Sequence, residues 1–306
     1  MRSLLFIMIL LLGSQSVYAG EKTWLGRARL FTNDRIGDGQ DRWRTGSYGI
    51  SFIRGKDWTG DLPEKFGDLV EYRLRTEIIA PADLSNPVIG TDRRYVGAIH
   101  MGAFSHMKSG ATDVSLGVDF VATGPNTGLG AFQTWAHNAL GLKAPMVLGS
   151  QIGNAVYPTL SAEIGRNFTA SLSPAHRVAF RPFAEAQIGV ETFVRLGGDI
   201  TLGHAGDGAF QVRDTTTGHR IIALKSQKNM GLSVLAGGDV AFVSSSQYLP
   251  VASGYTVTSP RVRLRTGFYY AGEKGSLFYG LTWLGKEFAA QPEGQLVGSV
   301  SLRLKF

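Results

Sequence analysis

Along most of the chain, apolar or aromatic side chains alternate with small or polar ones in segments of about ten residues, the period of a strand with two unlike faces. Residues 177–188 show it well, with Val178, Phe180 and Ile188 set among Arg181, Glu185 and Gln187. The last segment is the most regular: Val300, Leu302, Leu304 and Phe306 share one face, and Ser299, Ser301, Arg303 and Lys305 the other. Strands with one face for lipid and one for a polar lumen describe an all-β transmembrane antiparallel barrel. Backbone in lipid must satisfy its hydrogen bonds internally, so such a sheet has to close. We read strands at 22–31, 45–53, 70–79, 94–104, 114–121, 156–168, 177–188, 190–203, 230–243, 259–271, 276–286 and 295–306, twelve in all.

This parity makes 32–44, 81–93 and 122–155 outer loops and 54–67 an inner turn. The connection 204–229 is long for an inner turn, which leaves the strand parity beyond residue 189 open. Within 122–155, alternation gives way to a helical stripe of Leu129, Phe132, Ala136 and Leu140. It predicts a short α-helix over 128–140, capped by Asn126 or Thr127, ended by Gly141 and lying across the barrel's outer mouth.

The ends set the compartment. A basic start at Arg2, an apolar run from Leu4 to Leu12 and the small-residue ending Val17-Tyr18-Ala19 read as a signal peptide over 1–19. That run is too short to cross a bilayer as a helix. Residues 20–306 are then one barrel, a multi-pass protein of a Gram-negative outer membrane. A closing strand that ends on an aromatic carboxyl terminus is the mark that the barrel-assembly machinery recognises. The absence of cysteine means only that no disulfide staples the fold. A formal charge of +7 suits a surface that meets phosphorylated lipid, though outer-loop cations also serve simply to neutralise neighbouring lipopolysaccharide. Nothing suggests a nucleic-acid partner.

Three polar constellations fall on the outer rim under this parity. The first is Asn33-Asp34, with Asp41-Arg42 and Thr45-Gly46 following. The second is Asp92-Arg93-Arg94-Tyr95. The third is Gln133 and His137, four residues apart and therefore on one edge of the predicted helix. Each also has a plain structural reading as a turn pair, a surface ion pair or a loop histidine.

Taken together, Phe31-Thr32-Asn33-Asp34, Asp41-Arg42-x-x-Thr45-Gly46, Asp92-Arg93-x-Tyr95-x-Gly97, Gly124-Pro125 with Gln133-x-x-x-His137, Gln151-Ile152-x-Asn154 and Glu293-x-Gln295 resemble the lipid A 3′-O-deacylases of Gram-negative outer membranes. The resemblance runs from about residue 24 to the C-terminus. It implies a twelve-stranded barrel with its site at the outer end, hydrolysing the ester of the 3′-linked acyloxyacyl chain of lipid A with Ca²⁺ as cofactor. By the same resemblance His137 activates water, Asp34 and Asn33 supply oxygens to the cation, and Thr45 and Gln133 help to hold the ion, the water or the imidazole. Arg93 is then expected to grip a phosphate or sugar oxygen of the substrate.

Three positions depart from the family pattern: Gly46 where Asn is usual, Arg94 where Pro is usual, and Ala155 where Glu is common. No acidic residue occurs between Asp119 and Glu163, so any carboxylate that orients His137 must come from another loop. The alternatives are a passive barrel or pore, an outer-membrane phospholipase, which would need a nucleophilic serine beside the histidine, and an acyltransferase using the same histidine.

Overall fold

In the computed structural model, residues 21–86, 92–173, 176–226 and 230–304 are described. The leader over 1–19 and the terminal Phe306 lie outside them. The strands are β1 Thr23–Asn33, β2 Trp43–Gly55, β3 Leu69–Ala80, β4 Val96–Ser109, β5 Thr112–Thr123, β6 Ala155–Gly165, β7 Phe168–Ser173, β8 His176–Ile188, β9 Glu191–Leu202, β10 Phe210–Arg213, β11 Arg220–Leu224, β12 Gly231–Ser246, β13 Arg261–Gly272, β14 Gly275–Leu284 and β15 Gln295–Leu304. One α-helix, α1, spans Leu129–Ala139.

The sheet runs antiparallel from β6 through β1 to β15 and on through β14, β13, β12 and β9 to β8, and β6–β8 pairing closes it. Strand β7 is not a thirteenth stave. Leu160 pairs with Ile188 and Phe168 with Phe180, so β6 and β7 are one strand in one register along β8, interrupted at 166–167. The barrel is therefore twelve-stranded, as the alternation predicts, and the break at Gly189 between β8 and β9 is real.

The two faces differ as the sequence period requires. Leu74, Phe120, Leu160, Leu196, Leu264 and Leu302 are exposed on the outside, while charged side chains such as Arg195, Asp239, Arg263 and Arg265 are buried inside. A buried charge is tolerable only when paired. Arg213 bridges Glu163 and Asp199 at 2.6 and 2.9 Å, and Arg263 reaches Asp239 at 2.9 Å.

The described part of the connection 204–229, residues 204–226, resolves the open parity. It folds into the lumen as a hairpin of β10 and β11. Its Phe210, Val212, Ile221 and Leu224 pack against Ala28, Leu30, Ile53 and Leu69 of the wall, forming an apolar core inside a lumen expected to be polar. Arg213 of the hairpin belongs to the ion-pair network, and the carbonyls of Thr215 and Thr216 accept from Arg263. The hairpin also buttresses the β1–β15 seam. That seam pairs directly only from Phe31 to Asn33, and below it Arg303 donates to the carbonyls of Arg27, Ile222 and Ala223.

At the opposite end from this hairpin's entry, the 124–154 loop carries α1. Glycine is required where it leaves β5: Gly124 has φ 95°, and a Cβ there would lie 2.6 Å from the Gly153 carbonyl. Gly128, at φ 73°, precedes the helix in place of the expected side-chain cap, whereas Gly141 ends it in a left-handed conformation, as predicted. The placement of α1 differs from expectation. Gly97 pairs with Ile78, which neighbours the lumen-facing Glu77 and so points outward. A Cβ on Gly97 would meet Leu129 of α1 at 3.0 Å. The helix thus leans on the outer face of the β3–β4 wall instead of lying across the mouth.

Candidate active site

The β1–β2 loop and α1 meet at this wall. Asn33 ends β1 and caps a single 3₁₀ turn over Asp34–Ile36, its Oδ1 accepting from the Arg35 amide at 2.8 Å. That turn is pressed onto β15: a Cβ on Gly298 would strike the Ile36 carbonyl oxygen at 2.1 Å. The close approach drives Asp34 inward, where it is fully buried. Its carboxyl accepts from the Arg42 amide at 2.7 Å and lies 3.0 Å from the Thr45 hydroxyl oxygen. Gln295 anchors the loop from the far side, donating to the Arg42 carbonyl at 2.6 Å and accepting from the Arg44 amide at 3.0 Å.

Asp41 ties this loop to the helix. Its Oδ1 accepts from Thr45 Oγ1 at 2.7 Å and from Gln133 Nε2 at 3.2 Å, and its Oδ2 stands 2.9 Å from His137 Nε2. Gln133 and His137 are both buried, on the face of α1 turned to the loop. The other ring nitrogen, Nδ1, lies 2.6 Å from the Lys143 carbonyl oxygen. A carbonyl only accepts, so Nδ1 carries the hydrogen, and Nε2, beside Asp41, is the nitrogen left to take and give a proton. The ion pair with Asp41 then corresponds to the protonated ring, the state reached once a proton has been taken.

The electrostatics of this cluster favour a positive charge beside it. Burial, and then the neighbouring Asp41 and Asp38, push the Asp34 carboxyl up to about 8, against the lowering effect of its bonds to Arg42 and Thr45. Gln133 Oε1 is buried with no hydrogen-bond partner. Among the described residues no three acidic or histidine side chains converge as a ready-made cage. The Asp34 carboxylate, the Thr45 hydroxyl and the Gln133 amide oxygen form a mixed, all-oxygen donor set, of the kind a hard cation such as Ca²⁺ takes.

The structure thus brings Asp34, Thr45, Gln133 and His137 together, with Asn33 shaping the turn at the edge. Gly46 faces Asn33 across the β1–β2 pair, where a Cβ would lie 3.2 Å from the Asn33 amide nitrogen. Arg93 is elsewhere. It is fully enclosed, 2.6 Å from Glu287 and over the Phe288 ring, so it presents no open face to a substrate. Its neighbour Asp92 holds the Trp43 indole at 2.6 Å and the Ala82 amide at 2.8 Å. The Asp92-Arg93 element is therefore a brace for the rim. Arg93→Met is expected to cost about 3 kcal/mol, because it removes one partner of a buried ion pair, while leaving KM for lipid substrate unchanged in the folded fraction. Heat-modified mobility on gels and substrate titration check the two parts.

Sequence reasoning missed the roles of Asp41, the Lys143 carbonyl and Gln295. Asp41 stood in the same motif as Thr45, and the lack of acid near His137 called for a carboxylate from another loop. A main-chain carbonyl leaves no trace in side-chain chemistry.

A closed barrel with an apolar outer belt and a polar site between its wall and a loop helix defines an outer-membrane barrel enzyme in architecture. The family model described as "Outer membrane protein LpxR" matches residues 4–306, and the chain belongs to that family, the lipid A 3′-O-deacylases. Among solved structures it is similar to LpxR from Salmonella typhimurium, with a TM-score of 0.76 and 17% identity over 92% of this chain and 100% of that one. A KdgM porin matches at a TM-score of 0.39 and 7% identity, covering 92% of this chain and 99% of its own. The β-domain of the Bordetella autotransporter BrkA matches at 0.43 and 12%, also over 92% and 99%. A comparison with curated protein sequences finds no match.

Proposed function

We propose that this outer-membrane lipid A deacylase removes the 3′-O-linked acyloxyacyl chain by Ca²⁺-dependent hydrolysis, in a Gram-negative outer membrane, with the α1 end facing outward. The observation that carries the reading is the Asp41 bridge, which joins a tautomer-fixed histidine to a buried acidic cluster. His137 Nε2 takes a proton from water as the water oxygen bonds to the ester carbonyl carbon. The same nitrogen returns the proton to the sugar 3-oxygen as that bond breaks, releasing a carboxylic acid. Asp41 positions the ring and balances its positive charge. Asp34, Thr45 and Gln133 Oε1, with Asn33 at the turn, are the groups that would hold Ca²⁺. When bound there, the ion supplies Lewis-acid stabilisation of negative charge on the carbonyl oxygen.

The other readings fit less well. A passive pore gives no reason for this convergence, and the β10–β11 hairpin occupies the lumen. The ring partners of His137 are a carbonyl and a carboxylate, not the serine hydroxyl of a phospholipase. Mass spectrometry of lipid A from cells producing the protein is the test. Loss of a 3′-acyloxyacyl mass, with free acid released and suppression by calcium chelation, supports the proposal. Unchanged lipid A beside a folded barrel refutes it, and transfer of the acyl group to a second lipid marks an acyltransferase.

A further inference from the structure

The side of α1 that faces away from the site has the wrong chemistry for water. Phe132, Trp135 and Leu140 are 55%, 65% and 73% exposed, and Met146 just beyond the helix is 59% exposed. The Phe132 and Trp135 rings adjoin, with centroids 5.8 Å apart. Over Leu129–Ala139 there is no Asp, Glu, Lys or Arg, whereas a loop helix in solvent carries charge on its outer face.

The height of α1 on the barrel explains this. Near the short-turn end, Trp24, Phe52 and Tyr72 form an outward aromatic cluster, with Trp24 5.6 Å from Tyr72 and 6.1 Å from Phe52. Such clusters mark a membrane boundary. Ile78, opposite the helix-bearing Gly97, lies on the same outward face of β3 as Tyr72 and Leu74. From Tyr72 to Ile78 the strand climbs about 20 Å at ~3.3 Å per residue, or about 15 Å along the membrane normal at the usual tilt. The apolar band of such barrels is about 25 Å tall. The anchor of α1 therefore falls within the band, and its exposed face continues the lipid-facing belt, interrupted only by uncharged groups such as Thr76 on β3 and Asn138 on α1. Lys143, exposed directly after the helix, is placed for the headgroup layer.

We infer that the Phe132–Trp135–Leu140 face of α1 is seated in the acyl-chain layer of the bilayer, so that the site opens sideways into the membrane rather than upward to water. A lipid ester, which lies at the root of the acyl chains, then reaches His137 without leaving the bilayer. This last step rests on the deacylase reading; the membrane seating does not.

The chain contains no cysteine, so single nitroxide labels report without background. Labels are placed at Trp135→Cys, at Leu74→Cys in the belt and at Lys143→Cys, in phosphatidylcholine vesicles free of lipid A. The label at 135 is expected to match that at 74, with high collision rates for oxygen and several-fold lower rates for a water-soluble nickel chelate than at 143. Nickel access at 135 equal to that at 143 overturns the inference. So does shielding that appears only after lipid A is added, which would assign the face to a substrate chain. In parallel, the Phe132→Ser/Trp135→Ser double variant is expected to lose about tenfold in deacylation of vesicle-embedded lipid A but to keep its rate on detergent-dispersed lipid A. Equal loss in both formats overturns the lateral-entry claim. If the parent protein deacylates nothing, the proposed function fails while the label measurements still decide the seating.

Discussion

His137→Ala is expected to lower 3′-O-deacylation about a thousandfold, the usual worth of a general base, while the barrel remains folded and inserted. The argument rests on two bonds. The Lys143 carbonyl at 2.6 Å keeps the hydrogen on Nδ1, and Asp41 at 2.9 Å defines where Nε2 points. Asp41→Asn retains the shape but removes the charge that balances the imidazolium, so it is expected to lose activity mainly in kcat, with KM little changed. His137→Gln keeps a hydrogen-bonding side chain without a titratable nitrogen and is expected to be as inactive as the alanine form. Residual activity within tenfold of the parent in either His137 variant would show that the ring is not the base. Lipid A mass spectrometry on membranes with matched amounts of heat-modifiable barrel provides the measurement.

The second large effect concerns Asp34 and pH. Burial, and then Asp41 and Asp38, push its carboxyl up to about 8, far above the usual carboxylate range. The folded state thus keeps a proton that the unfolded chain releases. The associated stability is fully present below about pH 4 and is lost as pH rises through about 8. A cation that uses this carboxylate must displace the proton. Ca²⁺ affinity is therefore expected to climb with pH up to about 8 and then level off, with about one proton released per ion at pH 6.5. Calorimetry in two buffers of different ionisation enthalpy counts that proton. Asp34→Asn is expected to weaken Ca²⁺ binding about a hundredfold and to abolish the proton release. Affinity that is flat between pH 6 and 8 would place the ion away from Asp34.

How much of this was legible in the chain differs from element to element. The alternation of β15 showed its lipid and lumen faces directly, because burial in a sheet has the same period as the side chains. The helix was legible too, since Leu129, Phe132, Ala136 and Leu140 break that period. Its seat was not: the same stripe fits a helix across the mouth or one against the wall, and only the Gly97 gap chooses. The β10–β11 hairpin was unreadable for a related reason. Its strands are four and five residues long, too short for a period to emerge, and their apolar residues are buried by a wall formed from distant segments.

The candidate site divides in the same way. Local spacing determined that Gln133 and His137 share a helix edge and that Asp34 and Thr45 flank one loop, since both depend on only a few residues of backbone. Arg93 misled because a sequence shows a charge but not what encloses it, and Glu287, its partner, lies 194 positions away. The sequence alone determined the class of fold, the strand count and the residue types available for chemistry, all consequences of short-range periodicity and composition. Tertiary structure alone decided which charges are sealed as braces, that Asp41 and a main-chain carbonyl hold the histidine, and that the helix stands at lipid level, because each of these is set by contacts between segments far apart in the chain.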